Sequence, residues 1–120
     1  MSAKSVLILE DAIFIREIEK RYLKNNGYDI IGETNSEDEG VKIFRESKPA
    51  LVVLDLHLAQ GTGIDAARRM KEINPEARVV VVTSYDEELS EHPDLKAWFA
   101  VVLTKPFTEE EFVKALQGAF

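Results

Sequence analysis

The chain has 120 residues, 45% of them hydrophobic and 31% charged, which is enough for one domain, residues 1–120, around a single soluble core. It has no cysteine, which excludes disulfides and thiolate metal sites, and it has no apolar run of membrane-spanning length. A net charge of −7 argues against direct binding of nucleic acid, and Met1 to Ser5 carry no signal-peptide core, so a cytoplasmic protein is the expectation.

Ser5 to Leu9 is an apolar run that reads as a buried strand and ends in Glu10-Asp11. From Ala12 to Asn26 the residues Phe14, Ile15, Ile18, Tyr22 and Leu23 recur at helical spacing, with Gly27 as a C-terminal stop. Tyr28 to Thr34 is a shorter, more polar strand suited to a sheet edge. Ser36 with Glu39 forms a capping-box pattern that opens a helix to about Ser47, with Val41 and Phe44 on its apolar face. Leu51 to Leu54 are continuously apolar and run into Asp55, as in a strand buried on both faces of a parallel sheet. A loop over 57–63 with two glycines precedes a helix from Ile64 to Ile73, closed by Asn74-Pro75. Arg78 to Val82 is another buried strand, ending in Thr83-Ser84. Pro93 sits within an otherwise helical stretch, which places a short helix from Pro93 to Phe99. Ala100 to Leu103 forms a fifth strand, ending in Thr104-Lys105-Pro106, and Thr108 with Glu111 caps a last helix. The acidic clusters at Glu37 to Glu39, Asp86 to Glu91 and Glu109 to Glu111 read as solvated helix starts.

Strands alternating with helices imply an α/β fold, a doubly wound five-stranded parallel sheet of order 2-1-3-4-5. In such a sheet, ligands gather outside the carboxyl ends of the strands near the switch point. Collecting the polar residues at those ends gives Glu10, Asp11, Asp55, Thr83 and Lys105. Each has an ordinary explanation, since an acid can begin a helix and a threonine can cap one. Jointly, three carboxylates, a hydroxyl and an ammonium in one cleft suit a hard divalent cation and phosphoryl transfer, with Asp55 as nucleophile.

The set Glu10-Asp11, Asp55, Thr83 and Lys105-Pro106-Phe107 resembles the receiver domain of two-component response regulators across the whole chain. The resemblance implies a flavodoxin-like (βα)5 fold and phosphorylation of Asp55 by a sensor histidine kinase or a histidine phosphotransfer protein. It implies Mg²⁺ held by Asp11, Asp55 and the backbone carbonyl of His57, with Glu10 acting through water. Thr83 would hydrogen-bond the phosphoryl group and Lys105 would pair with it. The Lys105-Pro106 bond would be cis, as only an X-Pro bond readily is. His57 and Tyr85 would flank the hydrolytic water and tune the lifetime of the acyl phosphate. Such a domain is a regulatory phosphoacceptor that switches a downstream partner, and it is not a turnover enzyme.

Three departures stand out. Ala59-Gln60 replaces a common Pro-Gly, which should loosen that loop. Val102 stands where the family usually has Tyr or Phe, and it reads as a strand core residue, so signalling is expected to pass through Tyr85 to Trp98. Pro93 interrupts the fourth helix. Two other classes compete. A haloacid-dehalogenase-type phosphatase would need a second acid two residues after the nucleophile, where this chain has His57. A flavin carrier on the same fold would meet two acids where its phosphate should bind.

Overall fold

The computed structural model describes residues 4–84, 99 and 101–120. In chain order the elements are β1 (Ser5–Leu9), α1 (Ile13–Asn25), β2 (Asp29–Thr34), α2 (Glu37–Ser47), β3 (Leu51–Asp55), α3 (Gly63–Ile73), β4 (Val79–Thr83), β5 (Val101–Thr104) and α4 (Glu109–Gly118). The strands form one parallel sheet of order β2-β1-β3-β4-β5, as expected from the alternation. The predicted helix from Pro93 lies outside the described residues except for Phe99, which is buried.

β1, β3 and β4 are buried throughout, which is why their sequences show no polar alternation. Their side chains divide by parity between two cores. Leu7, Leu9, Val52, Leu54, Val79 and Val81 pack with Val41, Phe44, Ala66, Ala67 and Met70 of α2 and α3. Val6, Ile8, Leu51, Val53, Val80 and Val82 pack with Leu23 of α1 and Phe112, Ala115 and Leu116 of α4. β2 is an edge strand, as its polarity predicts.

The helix starts follow the caps. The Thr108 hydroxyl accepts from Glu111 N at 3.1 Å and the Glu111 carboxylate accepts from Thr108 N at 2.9 Å, a complete capping box. The Ser36 hydroxyl accepts from Glu39 N at 3.4 Å. α3 begins one residue earlier than predicted because Thr62 caps it, accepting from Asp65 N at 3.1 Å.

Two side chains depart from the sequence reading. Phe14, placed on the apolar face of α1, is 76% exposed. At 100° per residue it lies about 140° from the centre of the buried face, whereas Ile15 and Leu23 lie about 40° to either side of it. The centre itself is Glu19, a carboxyl with no exposure at all. Val102 is no core residue either: it is 36% exposed, while Val101 and Leu103 on the opposite face of β5 pack into the core with α1 and α4.

Candidate functional site

The strand register assembles the site. Leu9 pairs with Leu54, so the next residues, Glu10 and Asp55, emerge side by side. Asp55 pairs with Val82, which sets Thr83 one step beyond it. Thr83 pairs with Thr104, and Lys105 N continues the ladder by donating to Thr83 O at 2.9 Å. Parallel pairing without a shift across these three junctions thus brings four polar residues, Glu10, Asp55, Thr83 and Lys105, to one edge of the sheet.

Lys105 is the hub. Its ammonium donates to Asp55 Oδ2 at 3.2 Å and lies 3.0 Å from Glu10 Oε1. The contact with Glu10 is an ion pair without hydrogen-bond geometry, so Glu10 Oε1 is buried with no hydrogen bond. The other carboxylate oxygen of Glu10 accepts from Ala12 N at 3.1 Å, which ties it to the start of α1. Arg16 donates from Nε and Nη2 to the Glu10 carbonyl at 3.2 and 2.9 Å. Asp55 Oδ1 accepts from the backbone N–H of His57 at 3.3 Å.

Two carboxylates share one ammonium in a buried place, and this disfavours ionisation of Glu10. Burial, then the neighbouring Asp55, pushes the Glu10 carboxyl up to about 7, although Lys105 pulls it down. For Lys105, burial disfavours the ammonium, but Glu10 and Asp55 outweigh it and hold the pKa above its ordinary value. The Lys105-Pro106 peptide is cis, as the resemblance implies. Phe107 then stacks on Phe112 with ring centroids 5.2 Å apart and meets Tyr22 edge-on at 6.2 Å. The aromatic contact anchors the chain immediately after the lysine.

Thr83 is fully buried at the end of β4. Asp11 and His57 are exposed at the rim of the site. Tyr85, the other residue expected to tune the site, lies outside the described residues, as does the segment to Trp98. Among the described residues, no three His, Cys, Asp or Glu side chains are grouped so as to hold a metal by themselves. Mg²⁺ does not require such a cage, since it keeps several waters and binds through one or two carboxylates. An all-oxygen donor set containing Glu10 Oε1, which is buried beside Lys105 without a hydrogen bond, fits that ion.

The loop between β3 and α3 is pinned, contrary to the expectation from Ala59-Gln60. Ala59 N and Gln60 N donate to Asn35 O at 3.1 and 3.4 Å, and Gln60 O accepts from Glu37 N at 2.9 Å. Gly63 permits the close approach of α3 to the strand end: a Cβ there would run into the Asp55 carbonyl oxygen and lie 2.7 Å from Leu56 Cα.

Two residues in this neighbourhood escaped the sequence reading. Glu19 could have been found, because it falls between the apolar residues Ile15, Tyr22 and Leu23 on one helix face. Glu37 was assigned to a solvated cluster, yet its side chain is largely buried against Arg69. Asp38 and Glu39 are exposed as predicted, and so are Glu110 and Glu111 at the start of α4.

Known proteins share this fold. The family model described as the response regulator receiver domain matches residues 6–117. The chain is 32% identical over 113 residues to the chemotaxis protein CheY of Thermotoga maritima, covering 94% of each. It is 32% identical over 118 residues to the transcriptional regulatory protein PdtaR of Mycobacterium tuberculosis, covering 97% of this chain and 56% of that protein. Among solved structures it is similar to the receiver domain of PhyR from Erythrobacter litoralis, with a TM-score of 0.86 and 27% identity over 97% of this chain and 88% of the other. It also shares its fold with a chain in the CheX–CheY–BeF3–Mg complex of Borrelia burgdorferi, with a TM-score of 0.87 and 21% identity over 97% and 88% of the two chains.

Proposed function

The chain belongs to the receiver domains of response regulators, and from that premise we propose that Asp55 is its phosphoacceptor, with Lys105 and Thr83 as the groups that receive the phosphoryl charge. The observation that carries this reading is the Lys105 ammonium, shared between Asp55 and Glu10 at the meeting point of four strand ends.

A carboxylate oxygen of Asp55 forms the new O–P bond as the P–N bond to a phosphohistidine donor breaks, and the electron pair leaves with the donor's imidazole. Before transfer, the His57 N–H holds Asp55 Oδ1 and Lys105 holds Oδ2, so the carboxylate is oriented from both sides. As negative charge develops on the phosphoryl oxygens, the ammonium already within reach pairs with it, and the Thr83 hydroxyl donates a hydrogen bond. Asp11, Asp55 and the His57 carbonyl would hold Mg²⁺, with Glu10 acting through water; when bound, the ion neutralises phosphoryl charge. The donor is a sensor histidine kinase or a histidine phosphotransfer protein. The product is a switched state read by a downstream protein, so the domain regulates and does not turn over a substrate.

Incubation with acetyl phosphate and Mg²⁺ tests the reading. The wild-type chain is expected to gain one acid-stable, base-labile phosphoryl group, while Asp55→Asn and EDTA-treated wild type gain none. Undiminished incorporation into Asp55→Asn would sink the assignment, and continuous release of phosphate at enzymatic rates would favour a hydrolase.

A further inference from the structure

The turn that follows Asp55 is held from outside by one side chain. His57 and Thr62 face each other across this turn as an antiparallel bridge, and Gly61 within it takes φ of +80°, a left-handed value that favours glycine. Gly63 N closes the turn on Leu56 O at 2.9 Å. Glu37, the first residue of α2, reaches over it. One carboxylate oxygen accepts from Thr62 N at 3.0 Å, and the other pairs with Arg69 Nη1 of α3 at 2.9 Å. The Glu37 side chain also fills the space above Gly61, where an added Cβ would lie 2.5 Å from both Glu37 Cβ and Oε1.

The chemistry explains why an acid stands there. Thr62 uses its hydroxyl to cap α3, and its own N–H, as that of the residue before the first turn, has no intrahelical acceptor. A carboxylate has enough lone pairs to accept from this N–H and from a guanidinium at once, and the N-terminal turn of α2 favours its charge. Asp38 contacts the same guanidinium, at 2.7 Å, but makes no contact with the turn among the bonds described.

We propose that Glu37 is a positioning residue for the phosphoacceptor centre. By clasping Thr62 and Arg69 it fixes the 57–62 turn, and with it the His57 backbone that touches Asp55. The clasp supplies from α2 the rigidity that Ala59-Gln60 does not build into the turn itself. This inference rests on the receiver reading, because the His57 carbonyl matters only if a cation is bound beside Asp55.

The test compares Glu37→Ala, Glu37→Gln and Asp38→Ala in the full chain. Mg²⁺ affinity of the unphosphorylated protein is measured by titration calorimetry, and the Thr62 and His57 amides are followed by hydrogen exchange. Glu37→Ala is expected to weaken Mg²⁺ binding about tenfold, as loss of a charge-assisted hydrogen bond would. It should also lower Thr62 and His57 protection, with phosphorylation at saturating Mg²⁺ nearly unchanged. Glu37→Gln keeps an acceptor for Thr62 and is expected to recover most of the affinity, and Asp38→Ala to lose none. Wild-type Mg²⁺ affinity and Thr62 protection in Glu37→Ala overturn the inference. So does an equal loss in Asp38→Ala, which would trace the effect to charge or stability alone. A wild-type chain that binds no Mg²⁺ overturns the receiver reading and this inference together, whereas a wild type that binds while Glu37→Ala matches it overturns this inference only.

Discussion

Replacing Glu19 with leucine is expected to stabilise the protein, and to do so more strongly as pH rises. Glu19 lies on the sheet-facing side of α1 with no exposure, and neither carboxyl oxygen has a hydrogen-bond partner among the described residues. Burial above all, then the charge of Glu10, pushes its carboxyl well above the usual 4.5; Lys105 and Arg16 pull it down and Asp55 adds to the rise. In the folded chain it therefore keeps its proton to a higher pH than in the unfolded chain, where it ionises near 4.5. A group raised in the fold contributes its full stability below the unfolded value and loses it as pH climbs toward the folded one. The loss runs at about 1.4 kcal/mol per pH unit while Glu19 stays protonated in the fold. Burying the neutral carboxyl without a partner costs a further ~1–3 kcal/mol at any pH. Glu19→Leu removes both costs and puts an apolar group beside Leu23. The gain is expected to be ~1–3 kcal/mol at pH 5 and larger at pH 7. Urea denaturation of both chains at the two pH values, without metal, measures it. Glu19→Gln separates the two costs, since it should flatten the pH dependence while keeping the buried polar group. A Glu19→Leu chain that is less stable at both pH values, or whose gain does not change with pH, would refute the reasoning.

Lys105→Ala should still bind Mg²⁺, since the carboxylates remain, but should respond poorly to beryllofluoride; an unaltered beryllofluoride response, followed by NMR shifts at Asp55 and Thr83, would show that the ammonium does not pair with the phosphoryl analogue. Gly63→Ala forces a Cβ into the Asp55 carbonyl and should cost ~1–3 kcal/mol or more of stability by urea denaturation, together with weaker Mg²⁺ binding. Wild-type values for both would mean that α3 can move away from the strand end freely.

The sheet and most of the site were legible because they depend on strong, local signals. Uninterrupted apolar runs such as Leu51 to Leu54 have few other readings in a chain of this size, and residues just past such runs must meet at one edge once the strands are parallel. What stayed hidden depends on angle or on distant partners. Phe14 and Ile18 both read as apolar positions of α1, but the buried arc centres on Glu19, and a charged residue at its centre disguises the stripe. The β-branched side chain of Val102 suits a strand core, yet exposure on an edge strand depends on what covers each face. The rigidity of the 57–62 turn comes from Asn35 and Glu37, some 25 residues upstream, and no pattern within the turn announces them.

β1, β3 and β4, which carry Glu10, Asp55 and Thr83, are apolar on both faces, which changes what holds them in place. In a half-exposed strand, sliding by one residue turns every oily side chain toward water, and that penalty fixes the alignment. Leu51 to Leu54 would meet no such penalty, because a slip only exchanges leucine and valine between two equally oily cores. The polar ends must then act as the stops. Sliding β3 inward would drag the Asp55 carboxylate away from its ammonium into the hydrocarbon interior, and sliding it outward would present Leu54 to Lys105. The residues proposed to do the chemistry thus double as the keys that index the strands, and an uncharged polar replacement such as asparagine keeps the key where valine would discard it.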